Sequence, residues 1–158
     1  MHKWLVLSAL LVAADQITKY VAVQQLVLNQ VVAVTPFFNL VLVYNAGAAF
    51  SFLSDAAGWQ RGFFIGIALI ASAWIVYLLR RYPHQRLFAL ALSLVLAGAV
   101  GNVVDRVLHG AVIDFLDFHA YGYHWPAFNV ADSAISCGAA LLLWDAFRPK
   151  AREDGRRV

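Results

Sequence analysis

The sequence predicts an all-α integral membrane protein: a bundle of four transmembrane helices with a small β-sheet platform and a short lid helix on the outer membrane surface. Hydrophobic residues make up 62% of its 158 residues and charged residues only 13%, and its mean hydropathy is +0.69. Soluble domains do not reach this composition. Four apolar stretches are each long enough to cross the hydrocarbon layer, roughly 30 Å thick, as a helix of about 20 residues.

The four helices are predicted to span about residues 4–23, 59–79, 87–105 and 129–147. The first stretch resembles a cleavable signal peptide in having Lys3 before an apolar run. Its apolarity continues to Val23, however, so we expect an uncleaved helix. With no internal repeat or low-complexity tract, we expect a single domain over residues 1–147 and a basic cytoplasmic tail over residues 148–158.

The connection at about residues 24–58 is predicted to form the sheet and the lid. Residues 26–44 are apolar enough to imitate a fifth helix, but they are dense in Val and Phe and have Pro36 in mid-run. Short strands fit this bias better than a helix does. The stretch from Asn45 to Leu53 is short and amphipathic, and we expect it to act as a lid.

The distribution of basic residues predicts the topology. Lys and Arg occur before the first helix, in the loop from Arg80 to Arg86, and after Phe147, whereas the connections at residues 24–58 and 107–128 hold none. The positive-inside rule therefore places both termini in the cytoplasm. The net charge of +3 thus reflects membrane anchoring rather than nucleic-acid binding, with contact to anionic lipids as an alternative role.

Several polar residues are predicted to lie at one depth, the outer membrane interface. Asp15 is about 18 Å into the first helix at 1.5 Å per residue, which places it in the outer half. The residues expected at this level are Asp15, Lys19, Asn45, Asn102, Asp105, Arg106, Asp114, Asn129 and Asp132. Ionisable groups at membrane depth are costly, and they indicate a functional site by default.

Structural roles remain open for some of these residues. Asp15 and Lys19 are spaced i, i+4, which suits a local ion pair. Asn129 is typical of a helix N-cap, and the helix dipole would favour Asp132 three residues later. Asn102, Asp105 and Arg106 could be a structural interfacial cluster. These alternatives do not explain why so many polar residues fall at one level.

Five segments carry a family resemblance: Asp15-Gln16-Ile17-Thr18-Lys19, Tyr44-Asn45-Ala46-Gly47-Ala48-Ala49-Phe50-Ser51, Gly98-Ala99-Val100-Gly101-Asn102-Val103-Val104-Asp105-Arg106, Val112-Ile113-Asp114-Phe115 and Phe128-Asn129-Val130-Ala131-Asp132-Ser133. In order and spacing they resemble the sequence blocks of bacterial lipoprotein signal peptidase, or signal peptidase II. The resemblance implies an aspartyl endopeptidase of the bacterial inner membrane with its site at the periplasmic face. It would cleave signal peptides from diacylglyceryl-modified prolipoproteins just before the lipidated cysteine.

The resemblance also implies roles for individual residues. Asp114 and Asp132 match the catalytic positions. The positions that shape the site and hold the substrate are matched by Asp15, Lys19, Asn45, Gly47, Asn102, Asp105, Arg106, Asn129 and Ala131. The expected partners are prolipoprotein substrates and membrane lipids, for a monomer that needs no cofactor or metal.

Two carboxylates suit peptide hydrolysis, because one can take a proton from water while the other, protonated, polarises the scissile carbonyl. Like charges a few ångströms apart cannot both ionise easily, so a close pair shares a proton. A zinc site built on His109, His119 and His124 with Asp114 and Asp117 lacks the usual ligand spacing. A serine nucleophile with Lys19 as base is disfavoured, since Asp15 should keep Lys19 charged.

A small proton-coupled transporter or a membrane scaffold is the alternative from another functional class. A proton relay would need acids through the whole membrane depth. The inner half of the predicted bundle offers only Asp145. We expect Asp145 and Asp117 to be surface or interface acids without a role in catalysis.

Overall fold

The structure of the protein is a computed structural model that describes residues 1–47 and 59–148. It contains four helices and four strands, which confirms the predicted fold class. In chain order these are α1 (His2–Gln25), β1 (Val31–Thr35), β2 (Phe38–Asn45), α2 (Trp59–Arg81), α3 (Arg86–His109), β3 (Val112–Ala120), β4 (Tyr123–His124) and α4 (Val130–Phe147).

All four helices have the length and composition of membrane spans. They contain 18 to 24 residues, which corresponds to about 27–36 Å at 1.5 Å per residue. Large apolar side chains such as Ile70, 74% exposed, and Trp74, 61% exposed, cover their outer faces. Such surfaces are stable against lipid hydrocarbon rather than water, so the chain is a multi-pass membrane protein.

The central helix of the bundle is α3. It packs against each of the other three helices. Half of the residues in its apolar 18-residue stretch are buried, compared with 11–22% in the corresponding stretches of the other helices. The core cluster joins α3 to α2 and consists of Ile75, Leu79, Ala89, Leu92 and Leu96. Residues on the buried faces of α3 are therefore surrounded by protein on several sides, and a polar group there must find its partners within the chain.

The third helix is longer than predicted. It continues to His109 and ends where Gly110 adopts a left-handed conformation with φ of 79°, which glycine tolerates as a helix terminator. The predicted end near residue 105 is thus four residues early. As a consequence, Asp105 and Arg106 lie within the helix, where their side chains have fixed directions.

The sheet is antiparallel in the order β1-β2-β3-β4. The sequence placed it within residues 24–58, but β3 and β4 come from residues 112–124, and this part of the prediction is wrong. The pairing sets Val43 opposite Asp114 and Tyr44 opposite Ile113. Partners about 70 residues apart leave no local signature in the sequence, and the pairing includes Asp114 in a strand.

Part of the predicted lid cannot be compared with the structure. Asn45 ends β2 and Gly47 is described, but residues 48–58 lie outside the described residues. The same holds for residues 149–158, which make up nearly all of the predicted tail.

Candidate active site

Two aspartates from different elements meet at one end of the bundle. Asp114 lies on β3 and is 2% exposed, whereas Asp132 lies in the first turn of α4 and is half-buried. They are joined by Asn129, the N-cap of α4. Its amide nitrogen donates to Asp114 Oδ1 at 2.7 Å, and its amide oxygen accepts from the backbone nitrogen of Asp132 at 2.9 Å.

Two further amides hold the carboxylates. Asn45 at the end of β2 donates to Asp114 Oδ2 at 3.2 Å, and Asn102 on α3 donates to Asp132 Oδ1 at 2.8 Å. Each carboxyl group is thus fixed by a donor from a separate element. Amide donors bind a carboxylate without adding a positive charge, so they orient it while leaving it able to exchange a proton.

A buried charge cluster lies beneath the pair. The Lys19 ammonium contacts Asp15 Oδ2 at 2.8 Å and Asp105 Oδ2 at 2.7 Å, and it donates to Asn102 Oδ1 at 3.2 Å. Lys19, Asp15 and Asp105 are each 1% exposed. All three ammonium donors have partners, which is the condition for burying such a charge without a large penalty.

The same cluster holds the backbone beside each aspartate of the pair. Asp15 Oδ1 accepts from the backbone nitrogen of Ala131 at 2.8 Å, next to Asp132. Asp105 Oδ2 accepts from the backbone nitrogen of Ile113 at 3.1 Å, next to Asp114. The i, i+4 ion pair of the first helix is therefore real, but it also serves to position both aspartates.

Arg106 connects α3 to the end of β2. Its Nη2 donates to the carbonyl of Gly47 at 3.0 Å, its Nη1 donates to the carbonyl of Asn102 at 3.3 Å, and its guanidinium lies 5.1 Å from the ring centre of Phe64 on α2. Gly47 in turn donates its backbone N–H to Asn45 Oδ1 at 3.1 Å. Every residue that the sequence predicted for the site thus belongs to one continuous network.

Two glycines of α3 allow this close assembly. A Cβ at Gly101 would lie 2.6 Å from Asp15 Oδ2 and 3.3 Å from Ala131 Cβ. A Cβ at Gly98 would collide with the carbonyl oxygen of Ala131 and lie 2.5 Å from Ile135 Cγ1. The helices α3 and α4 can therefore approach only because these positions lack side chains, as is common where membrane helices pack closely.

Burial, together with the neighbouring charge of Asp132, raises the pKa of Asp114 to about 7, although the hydrogen bonds from Asn45 and Asn129 act to lower it. Near neutral pH this carboxyl group can therefore hold a proton. A pair that holds one proton contains both an acid and a base, and it can activate water and polarise a carbonyl group together.

Gln16 is a member of the network that the sequence analysis did not single out. Its amide nitrogen donates to Asp105 Oδ1 at 2.8 Å, to Asp15 Oδ2 at 3.2 Å and to the carbonyl of Gly101 at 3.3 Å. The sequence signal that could have identified Gln16 is its polar amide beside Asp15 in an otherwise apolar helix. Gln16 locks the two carboxylates of the cluster to each other.

Asp117 does not lie at the surface, which corrects the prediction for this residue. It is 6% exposed, accepts from Asn39 Nδ2 at 2.8 Å and is contacted by His124 Nδ1 at 2.9 Å. Burial favours a higher pKa for Asp117, but the hydrogen bonds from Asn39 and His124 and the charges of His124 and His119 together outweigh it, so the pKa lies below its ordinary value. Asp117 therefore ties β2 to β3 and β4.

Comparisons with known proteins identify the family of the chain. The profile of the family described as Signal peptidase (SPase) II matches residues 7–148. The chain is similar to the lipoprotein signal peptidase of Cupriavidus taiwanensis, with 59% identity over 145 residues that cover 92% of this chain and 82% of that protein. It is also similar to the lipoprotein signal peptidase of Janthinobacterium sp., with 57% identity over 148 residues, 94% of this chain and 90% of that protein.

Its fold is similar to that of a solved bacterial membrane enzyme, determined in meso at 2.3 Å resolution. The TM-score is 0.83 and the sequence identity 33%, over 98% of this chain and 96% of the solved chain. A second structure of a bacterial membrane enzyme, at 1.9 Å resolution, gives a TM-score of 0.82 at 32% identity, over 95% of this chain and 96% of that chain. The chain therefore belongs to the signal peptidase II family.

Proposed function

We propose that this membrane protease cleaves signal peptides from prolipoproteins and that Asp114 and Asp132 are its catalytic pair. The observation that carries the proposal is the bridge by Asn129, which contacts both residues through one side chain. Two aspartates on one helix turn would approach a water molecule from the same side. Aspartates from β3 and α4 can instead flank a water molecule and a scissile bond.

Different environments assign different tasks to the two residues. Asp114 is almost fully buried and has a pKa of about 7, so it suits the protonated role of donating a hydrogen bond to the scissile carbonyl. Asp132 is half-buried, and its more open position suits the ionised role of accepting a proton from the attacking water. Collapse of the tetrahedral intermediate then needs a proton on the leaving amine, which the carboxyl that has just gained one can supply.

The remaining network supports this pair without taking part in the proton transfers. Lys19, Asp15 and Asp105 fix the backbone next to each aspartate, and Asn102 links Lys19 to Asp132. Positioning of this kind matters because a displacement of about 1 Å in the reacting groups can cost about a hundredfold in rate. We assign these residues to positioning rather than to chemistry.

The proposed substrate is a prolipoprotein whose cysteine already bears diacylglycerol, cut just before that cysteine. Relatives of this chain are called lipoprotein signal peptidases, and the aspartates lie at one end of the apolar helices, where the headgroups of a bilayer would be. The lipid of the substrate would then remain in the membrane while the peptide bond reaches the carboxylates.

We further propose that the protein acts as a monomer in the bacterial inner membrane with both termini in the cytoplasm. Arg80 and Arg81 lie in the last turn of α2, at the end of the bundle opposite Asp114. By the positive-inside rule that end faces the cytoplasm, and the aspartates then face the periplasm. The network of the site is supplied by a single chain, which is consistent with a monomer.

Asparagine substitution of each aspartate tests the proposal. We expect Asp114→Asn and Asp132→Asn each to lower kcat/KM on a diacylglyceryl-modified prolipoprotein by at least about 10²–10⁴-fold, the usual contribution of a positioned acid or base. Asparagine keeps the shape of the side chain but cannot carry the proton. The measurement is the rate at which the shortened product appears with purified protein in detergent.

Asp145→Asn is the matched control. Asp145 lies near the other end of α4, so this substitution should leave activity unchanged. Turnover near the wild-type rate in either Asp114→Asn or Asp132→Asn would remove that residue from the mechanism. Loss of wild-type activity on chelation, restored by zinc, would replace the aspartyl mechanism by a metal mechanism.

A further inference from the structure

A cleft runs between α1 and α2. Both helices pack against α3, yet within the described residues they scarcely touch each other. The space between them has a volume of about 710 Å³, within the range of about 300–1,000 Å³ that is typical of ligand sites. Ala9 on one wall and Ala73 on the other are small, and Leu96 and Val100 form the floor.

The charge of the cleft is concentrated at one end. Arg80 is the only charged residue among the described residues that line it, and its side chain is exposed. It lies 16 residues, or about 24 Å along the helix axis, from Phe64, which is the contact of α2 with the Arg106 guanidinium. The charged end is therefore remote from the catalytic pair.

Further basic groups lie at the same end. The indole nitrogen of Trp4 donates to the carbonyl of Pro83 at 3.2 Å, which attaches the start of α1 to the turn after α2. The Lys3 ammonium lies 4.9 Å from the centre of the Trp4 ring, so Lys3 is held close to this turn. With Arg80 and Arg81 at the end of α2, the cleft opens towards a cluster of positive charge.

We propose that the cleft binds one anionic phospholipid, with an acyl chain between α1 and α2 and the phosphate at Arg80. An apolar cleft open to the bilayer interior is filled by hydrocarbon, and the basic end selects the headgroup by charge. Basic recesses between transmembrane helices are suited to anionic lipid headgroups for this reason. The lipid would complete the packing that α1 and α2 do not provide for each other.

Charge argues against two other occupants. The helix of a signal peptide carries a positive segment at its cytoplasmic end, which Arg80 and Arg81 would repel. A second copy of this chain would bring the same basic residues into contact with one another. An anionic lipid is the occupant whose charge is opposite to that of the cleft.

Native mass spectrometry of the purified full-length protein tests whether the cleft selects an anionic headgroup. The protein in detergent is titrated with phosphatidylglycerol or with phosphatidylcholine of identical acyl chains. We expect one retained phosphatidylglycerol, favoured roughly fivefold over phosphatidylcholine, because each basic residue near a lipid surface has an effect of that order. Arg80→Gln should abolish the preference.

Arg148→Gln is the matched control: it removes the same charge from the exposed residue that follows α4, outside the cleft. The preference should survive in this variant. Equal retention of the two lipids by the wild-type protein, or a preference lost equally in Arg148→Gln and Arg80→Gln, would overturn the proposal.

A second pair of variants tests the acyl-chain site. Ala9 and Ala73 have exposed side chains, so Ala9→Phe and Ala73→Phe add volume to the cleft without displacing buried groups. Both should lower the retention of phosphatidylglycerol. Cleavage of prolipoprotein by the same variants reports that they are folded, which separates failure of this proposal from failure of the catalytic assignment.

Two results would assign the cleft to another occupant and contradict the lipid site. One is a raised KM for prolipoprotein in Ala73→Phe with unchanged lipid retention, which would indicate the substrate helix. The other is a dimer of the wild-type protein that Ala73→Phe dissociates, which would indicate a second copy of the chain.

Discussion

The chemistry of Asp114 follows from its surroundings. Its carboxyl group is 2% exposed and close to the charge of Asp132, and these two features raise its pKa to about 7 although Asn45 and Asn129 donate to it. An ordinary aspartate would be ionised at neutral pH. Burial thus allows this carboxyl group to stay protonated near neutral pH, as one member of a two-carboxylate mechanism must.

We predict that kcat/KM depends on pH as a bell-shaped curve whose alkaline limb has its midpoint near pH 7. The group with the raised pKa is protonated below that value, and loss of its proton at higher pH removes the acid of the pair. The two midpoints belong to the coupled pair rather than to one residue. Initial rates of prolipoprotein cleavage at subsaturating substrate, measured across pH in one detergent, give the profile.

An alkaline limb that stays flat to pH 9 would contradict the assignment of the proton to this pair. Thermal unfolding recorded over the same pH range serves as the control, because a fall in activity that merely follows unfolding would not report on catalysis.

Among the helices, the contact of α3 with α4 controls the geometry of the site. Gly101 leaves room for the hydrogen bond between the Ala131 backbone nitrogen and Asp15. This bond fixes the position of the neighbouring Asp132 along the helix axis. The contact is made of small residues, as is usual where helices approach closely in membranes. The position of Asp132 therefore depends on the absence of a side chain on another helix.

We predict that Gly101→Ala lowers the stability of the protein by about 1–3 kcal/mol, the usual cost of overpacking, and lowers kcat more than it raises KM. The new methyl group would lie 2.6 Å from Asp15 Oδ2 and push Ala131 away from it. Thermal unfolding and cleavage kinetics in the same detergent measure the two effects.

Gly62→Ala is the matched control on α2, since a Cβ at Gly62 meets nothing within 4 Å. This variant should be as stable as the wild type or slightly more stable, because alanine favours helix. Equal behaviour of the two variants would show that close packing at Gly101 is not required.

The buried charge cluster links α1 to α3, and we predict that Lys19→Met destabilises the protein by about 3–5 kcal/mol. Methionine keeps much of the volume but leaves Asp15 and Asp105 buried without their cation, and an unpaired buried charge carries a cost of this size. Unfolding in detergent measures the loss. Lys3→Met, at an exposed position, should change stability little, and an equally small effect of Lys19→Met would contradict the role of the cluster.

The whole molecule brings its polar network to one end of four apolar helices. The outer faces of the helices remain apolar, as Ile70 and Trp74 illustrate, and Asp114 and Asp132 lie at one end of these helices. If this end carries out the proposed cleavage, a substrate held in the lipid would meet the site by diffusion in two dimensions, without leaving the membrane.

We predict that a prolipoprotein whose cysteine lacks diacylglycerol is cleaved poorly, with a lower kcat/KM than the modified substrate. Each CH₂ group of an acyl chain contributes about 0.8 kcal/mol when it is buried in an apolar environment, so an unmodified substrate loses binding energy at the site. Parallel assays with the two substrates in the same detergent measure the difference. Equal kcat/KM values would show that the lipid is not recognised.

The sequence by itself determined the membrane class, the four helices and the residues of the network other than Gln16. Hydropathy over about 20 residues and the cap at Asn129 are local properties, and local properties can be read along the chain. The five motifs carried the family resemblance, which the match over residues 7–148 confirms. Aspartates in apolar surroundings, such as Asp15 and Asp132, also stand out in a sequence without any structure.

Only the tertiary structure decided how these residues meet. The pairing of β2 with β3 carries Asp114 to Asn129, the burial of Asp117 depends on Asn39 from another strand, and Gln16 finds its partners on α3. The cleft between α1 and α2 likewise exists because both helices pack on α3. Each of these contacts joins residues far apart in the chain, and their energies depend on packing and burial that no short segment encodes.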